Sequence, residues 1–229
     1  MHAKIDTDGD GRISLDDMLS FWAETNKLAA AKGMDSVLAH IDANQDGRLS
    51  LEEVVEDKEQ TSAVVNNGHR EVDSEVERKK FEVADADGDG DLDSKEMPSF
   101  YHPGVHDTVL DITARATLAK KDLNQDGKLS FKEFWGYAEE HSKELSESVE
   151  KVEFSRLDED GDGFVRLEEL KLWESGGFHT KAIMRKLFEV ADGDDYAHVT
   201  ADELVDAREA ISKSSMKYHF SEWAAHHEL

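Results

Sequence analysis

Carboxylates recurring at fixed short intervals are the residues of this chain best placed to do chemistry, and they stand most densely in DADGDGDLDSKE, Asp85 to Glu96. With Asp85 as position 1, acidic side chains fall at positions 1, 3, 5, 9 and 12 (Asp85, Asp87, Asp89, Asp93, Glu96), and Gly90 holds position 6. A hard divalent cation takes roughly six to eight oxygens, and a glycine at position 6 allows the sharp turn that wraps one short segment around it. Asp91 at position 7 would add its main-chain carbonyl, while Leu92 at position 8 would point inward from a short strand. The chemistry this spacing suits is the capture of calcium.

The same loop starts six times, at Asp6, Asp42, Asp85, Asp122, Asp158 and Asp192. Four copies satisfy D-x-[DN]-x-[DN]-G-x5-E in full, which is the EF-hand pattern. The candidate ligands of loop two are Asp42, Asn44, Asp46, the Arg48 carbonyl and Glu53. Those of loop four are Asp122, Asn124, Asp126, the Lys128 carbonyl and Glu133, and those of loop five Asp158, Asp160, Asp162, the Phe164 carbonyl and Glu169. Calcium is expected in loops two to five. Loop three, with carboxylates at positions 1, 3, 5, 9 and 12, should load first, and loop five more weakly, because the Arg166 guanidinium at position 9 has no acceptor to offer. Loop one has Asp6, Asp8, Asp10 and the Arg12 carbonyl, but Asp17 replaces the usual Glu. The shorter side chain predicts six-fold coordination, weaker calcium binding and tolerance of Mg2+. Loop six keeps Asp192, Asp194 and Glu203 with Thr200 at position 9, yet has Tyr196 at position 5 and Ala197 at the glycine position. Two readings of it stand side by side, an ion site and a dead loop kept as partner for loop five. The total is four to six calcium ions.

Helices must brace these loops, and the flanks repeat accordingly. Four residues before a loop stand Leu38, Phe81, Leu118, Phe154 and Phe188, on the inner face of an entering helix. Position 8 is always aliphatic (Ile13, Leu49, Leu92, Leu129, Val165, Val199), so loops can join in twos through short antiparallel bridges. Phe21, Trp22, Phe100, Phe134, Trp135 and Trp173 on the exiting helices read as core. The fold class is all-α: six EF-hands as three pairs with short β bridges. Pairing neighbours gives domains 1–62, 70–141 and 146–210, and a tail over 211–229. Thr61 to His69 reads as the main linker between pairs and Glu140 to Ser146 as a softer break. Pro98 and Pro103 should shorten or kink the helix leaving loop three. With only Met1 to Ile5 before loop one and His2 at the anchor position, the entering helix of that hand is largely missing, and the chain is expected to begin inside a longer protein.

The formal charge of −26, from 53 acidic and 27 basic residues, disfavours nucleic acid and anionic lipid as partners and makes cations part of the folding problem. Five calcium ions would bring ten positive charges to it, so calcium should compact the chain. Hydrophobic residues at 38% argue against a disordered acidic polymer. Without cysteine there is neither a disulfide framework nor a thiolate metal site. No apolar run is long enough to span a bilayer, and no Asn-x-Ser/Thr site occurs. The 11 histidines are scattered without zinc spacing, and no phosphate loop or nucleophile elbow is present. The chain reads as a monomer and not as an enzyme.

With loops and flanks in place, the chain resembles the calumenin and reticulocalbin family of multiple-EF-hand proteins of the secretory pathway. The likeness rests on FYHPGVHDTVLDITARATLAKKDLNQDGKLSFKEF around loop four, on FSRLDEDGDGFVRLEELKLW around loop five, and on the closing His226, His227, Glu228 and Leu229. Members of that family end in retrieval signals of the His-Asp-Glu-Leu type; here His227 stands where that signal has its acidic residue. The resemblance implies the endoplasmic reticulum lumen, low-affinity calcium binding, and modulation of client or channel proteins. Alternatives from the residues alone are a cytosolic calbindin-like buffer and a calmodulin-like sensor, whose target groove would be rich in Met. Met1, Met18, Met34, Met97, Met184 and Met216 are too dispersed to line one. Tyr218, Phe220 and Trp223 in the tail would either pack on the last pair or face a partner.

Overall fold

The computed structural model describes residues 5, 6, 8–65, 73–136, 144–194 and 196–213. It is mostly helical, with three two-stranded sheets. Loop one contributes β1 (Arg12–Ser14) and leads into α1 (Leu15–Lys32); α2 (Met34–Ile41) enters loop two, with β2 (Leu49–Ser50), and α3 (Leu51–Val65) leaves it. Loop three, with β3 (Asp91–Leu92), lies between α4 (Ser74–Ala84) and the short α5 (Met97–Tyr101). A 3-10 turn at Pro103–Val105 precedes α6 (Asp107–Lys121), which enters loop four with β4 (Leu129–Ser130); α7 (Phe131–Trp135) leaves it. Loop five, with β5 (Phe164–Val165), lies between α8 (Glu144–Leu157) and α9 (Leu167–Glu174). Loop six, with β6 (His198–Thr200), lies between α10 (Gly177–Ala191) and α11 (Ala201–Asp206), and α12 (Arg208–Lys213) follows.

In loops one, two, four and six the exiting helix starts abruptly because the position 9 hydroxyl accepts from the position 12 amide, whereas Arg166 at position 9 of loop five gives its helix no side-chain cap. Ser130 Oγ accepts from the Glu133 amide while the Glu133 carboxylate accepts from the Ser130 amide, and Thr200 and Glu203 repeat this capping box. Pro98 and Pro103 act as expected: α5 has 5 residues and gives way to the 3-10 turn. Position 8 is buried in every loop, with Leu49, Leu92, Leu129 and Val165 at 0% exposure.

The bridges correct the expected pairing of neighbours. Leu49 pairs with Leu92, joining loops two and three; Leu129 pairs with Val165, joining four and five; and Ile13 pairs with Val199, joining one and six. Connection length explains the shift by one. An antiparallel bridge needs a segment on which the chain can reverse between exiting and entering helices. The longest connections between an exiting and the next entering helix, residues 66–73 and 136–143, fall between loops two and three and between four and five, and α3 packs on α4. By contrast Gly33 alone separates α1 from α2, and only Ser175 and Gly176 separate α9 from α10. The segments read as linkers between pairs therefore lie within pairs, and the domain boundaries 1–62, 70–141 and 146–210 do not follow the bridges. Parts of both segments, and the tail from Ser214 to Leu229, lie outside the described residues.

The chain divides into two compact units, one of residues 1–32 with 178–229, the other of residues 33–177. In the first, Ile13, Met18, Phe21, Met184, Leu187 and Val199 are buried together. The second contains loops two to five. Around its loops two and three, Leu49, Val54, Phe81, Leu92, Met97 and Phe100 form the core. Around loops four and five, Phe134 meets Trp135, Phe154 and Trp173 edge to face at 5.1, 5.9 and 5.2 Å, as the sequence reading of these aromatics as core requires. Helix α6 ties the halves of this unit together: it packs on α4 and α9, with Val109 and Ala114 fully buried and Asp111 paired to Lys171 at 2.7 Å. Gly104 sits so close to the end of α9 that a Cβ there would lie 2.6 Å from the Ser175 carbonyl oxygen.

Candidate metal sites

In all six loops the position 1 aspartate organises the backbone. Its Oδ2 accepts from the position 6 amide at 2.8–2.9 Å (Gly11, Gly47, Gly90, Gly127, Gly163, Ala197). The position 5 carboxylates Asp10, Asp46, Asp89, Asp126 and Asp162 accept from the position 7 amides of Arg12, Arg48, Asp91, Lys128 and Phe164. The turn this imposes puts positions 4 and 6 in the left-handed region. Glycine fills position 6 in five loops, whereas Gln45 and Gln125 at position 4 and Ala197 at position 6 adopt φ of 59, 60 and 59° without it.

Position 12 closes the loop. One oxygen of Glu53, Glu96, Glu133, Glu169 and Glu203 accepts from the position 2 amide and the other from the position 9 amide. The Ser130 hydroxyl and amide hold the Glu133 carboxyl below its ordinary value, and the Thr200 amide and hydroxyl do the same for Glu203. At Glu53 burial acts upward, but the hydrogen bonds from Ser50, Asn44 and Ala43 bring the net shift down. Carboxylates held ionised and oriented before any cation arrives suit a hard divalent ion.

Four loops gather three carboxylates with ligand atoms within 4.8 Å of one another: Asp6, Asp8 and Asp10; Asp85, Asp87 and Glu96; Asp158, Asp160 and Glu169; and Asp192, Asp194 and Glu203. Loop one therefore uses positions 1, 3 and 5, with buried Asp17 outside that group and its Oδ2 accepting from the Ser14 hydroxyl at 2.5 Å. Loops three, five and six use positions 1, 3 and 12. In loops two and four an amide stands at position 3, and Asn44 Oδ1 and Asn124 Oδ1 accept from the Asp46 and Asp126 amides as an aspartate would. Loop six keeps the backbone pattern of the others despite its substitutions, and its Tyr196 is exposed and stacks on His198.

Sequence reading missed the ion pairs made by the position 5 carboxylates. The Arg48 guanidinium pairs with Asp89 Oδ2 across the loop two–loop three bridge, and Arg166 pairs with Asp162 within loop five, its Nε 3.0 Å away. The amide of Asp91 and then Arg48 hold the Asp89 carboxyl below its usual value, and Arg166 does so for Asp162. In loop four the corresponding cation goes elsewhere: Lys128 Nζ lies 3.3 Å from the centre of the Phe164 ring. Remote from the loops, Lys58 and Lys80 flank the Phe100 ring at 4.7 and 4.8 Å and share Glu77.

Comparison with known proteins gives matches to an EF-hand domain pair over residues 74–139 and to a single EF hand over residues 3–22, 34–56 and 151–172. These stretches take in loops one to five and more than half of the chain. Loops three and four, matched as one pair, touch through α4 and α6 here, although each bridges to a different loop. Reticulocalbin-2 of Crotalus adamanteus is 28% identical over 147 residues, 60% of this chain and 47% of that protein, so the chain spans about half the length of this relative. Among solved structures, calcium-loaded apo-aequorin from Aequorea victoria is similar at 18% identity and a TM-score of 0.35, over 65% of this chain and 90% of that one. A homolog of programmed cell death 6 protein from Leishmania major Friedlin is similar at 16% identity and a TM-score of 0.25, over 81% and 97%. Likenesses of that size say nothing about how the loops are arranged.

Proposed function

We propose that this chain, which belongs to the EF-hand calcium-binding proteins and is reticulocalbin-like in sequence, is a six-hand calcium buffer of the secretory-pathway lumen whose compactness and partner contacts change with loading. The observation that carries the reading is the convergence of three carboxylates in each of four loops, already aimed by backbone hydrogen bonds. In loops two to five the ion would be held by positions 1, 3 and 5, the position 7 carbonyl and the position 12 carboxylate. In loop six Asp192, Asp194 and Glu203 would hold it, and in loop one Asp6, Asp8 and Asp10, with Asp17 contributing less. Bound calcium supplies positive charge that cancels repulsion among these acids, in a chain of net charge −26.

Buffering is favoured over groove-opening by the methionines. Met18, Met34, Met97 and Met184 are all at 2% exposure or less and serve as core. Location in the lumen is supported by the reticulocalbin likeness and by the His-His-Glu-Leu ending. No helix among the described residues is long and apolar enough to cross a membrane.

Calorimetric titration with calcium and then magnesium, with hydrodynamic radius followed in parallel, tests the reading. Four to six calcium ions and a shrinking radius are expected; no heat and no change in radius at millimolar calcium would overturn it. Imaging the full-length protein with and without residues 226–229 tests the compartment, and a distribution indifferent to that deletion would remove retrieval from the proposal.

A further inference from the structure

Two of the four loops that match the pattern in full carry a guanidinium on a carboxylate that the ion would need. Asp89, at position 5 of loop three, has Oδ1 on the Asp91 amide and Oδ2 on Arg48. Arg48 is itself position 7 of loop two, brought there because Leu49 pairs with Leu92. Asp162, at position 5 of loop five, is held in the same way by Arg166, four residues on. In both loops the position 5 carboxylate stands outside the convergent group, which consists of positions 1, 3 and 12. In loop one, Asp10 at the same position belongs to the group. In loop four, Lys128 lies over the Phe164 ring and its charge also acts on Asp162 across the bridge, while Asp126 accepts from the Lys128 amide and the Asn124 side-chain amide.

From this we infer that Arg48 and Arg166 are built-in counter-cations that lower the calcium affinity of loops three and five, Arg48 doing so from the partner loop. The inference rests on the calcium reading of these loops. Asp89 cannot give its whole negative charge to an ion while Arg48 holds one of its oxygens, and the ion meets the guanidinium charge across the same carboxylate. Loop three, with carboxylates at positions 1, 3, 5, 9 and 12, is thereby restrained. Because Arg48 belongs to loop two, loading one member of this couple alters the electrostatic field at the other, which is a route for coupling between them.

The test follows the position 6 amides of Gly90, Gly127 and Gly163 in the 15N-labelled full chain through a calcium titration at low salt. Arg48→Gln is expected to bring the Gly90 half-saturation point about two- to fivefold lower in calcium, the size of an exposed ion pair, and to leave Gly127 in place. Arg166→Gln should act likewise on Gly163. Lys95→Gln removes one positive charge from loop three without touching Asp89 and is expected to move Gly90 by much less. The arginine side chains are exposed, so neither substitution disturbs the buried bridge. An unmoved Gly90 in Arg48→Gln, or an equal shift in Lys95→Gln, would overturn the inference while leaving the calcium sites standing. A Gly90 amide that ignores calcium in the wild-type chain would instead bring down the calcium reading of loop three itself.

Discussion

The unit that holds loops one and six differs from the unit that holds loops two to five in how its loops find each other. In the larger unit each bridge joins loops that follow one another, Leu49 to Leu92 and Leu129 to Val165. In the smaller one Ile13 meets Val199 from the far side of the sequence. The two loops that depart from the calcium pattern, with Asp17 at position 12 and Tyr196 and Ala197 at positions 5 and 6, are each other's partner. What they retain is an aliphatic position 8 at 2% exposure or less and the Asp6 or Asp192 bonds that shape the turn. Coupling of loops therefore depends on the bridge and the core beneath it, and ligand residues vary on top of that scaffold.

The sharpest way to break this comparison is to bury a charge in one bridge. Val199→Asp puts a carboxylate opposite Ile13, where exposure is 1%, and should cost about 3–5 kcal/mol in that unit. Amide hydrogen exchange is expected to lose protection around Ile13 and Met18 while Leu49 and Leu92 keep theirs. Simultaneous loss at all four would show the units to be one cooperative body.

A second contrast is specific to the larger unit. Burial, and then Lys58, push Lys80 down to about 8, against the upward pull of Glu77. The folded state therefore releases this proton before the unfolded chain does, so stability should rise with pH between about 8 and 10.5, by up to about 3 kcal/mol. Lys80→Met should flatten that rise and stabilise the unit near neutrality. Urea denaturation of both proteins across the window checks it, and parallel pH profiles would refute the assignment. Next in size is Gly104→Ala, whose methyl group meets the Ser175 carbonyl. A loss of about 1–3 kcal/mol is expected in the larger unit, read as a lower melting temperature.

The smallest effect sharpens the account of loop six. Ala197 occupies φ of 59°, so Ala197→Gly should relieve the left-handed strain and stabilise the smaller unit by up to about 1 kcal/mol. A destabilised variant would mean that the alanine side chain contributes packing that outweighs the strain.

The loops were legible because their information is local. Twelve residues decide the turn and position 8 alternation buries the bridge, so the loop turns and the core residues Phe81, Phe134 and Leu129 could be read directly. Choice of partner was not legible in the same way. It depends on whether the chain can reverse between two helices, and the stretch around Thr61 to His69 looks the same as a linker between pairs or a turn within one. Once the pairing is shifted by one, Arg48 faces Asp89 instead of loop one, which is why that contact was missed. Gly104 against Ser175 was hidden for a related reason, since nothing near Gly104 in sequence announces the end of α9.

The Ile13–Val199 bridge sets an order of events at the ribosome. At translation rates of about 5–20 residues per second, roughly ten to forty seconds separate the appearance of these two strands, while Leu49 and Leu92 follow one another within a few. During that interval the loop built first has an uncovered strand edge and an apolar helix face with no cognate surface to dock on. Escorts that shield nascent chains would find their longest-lived target there.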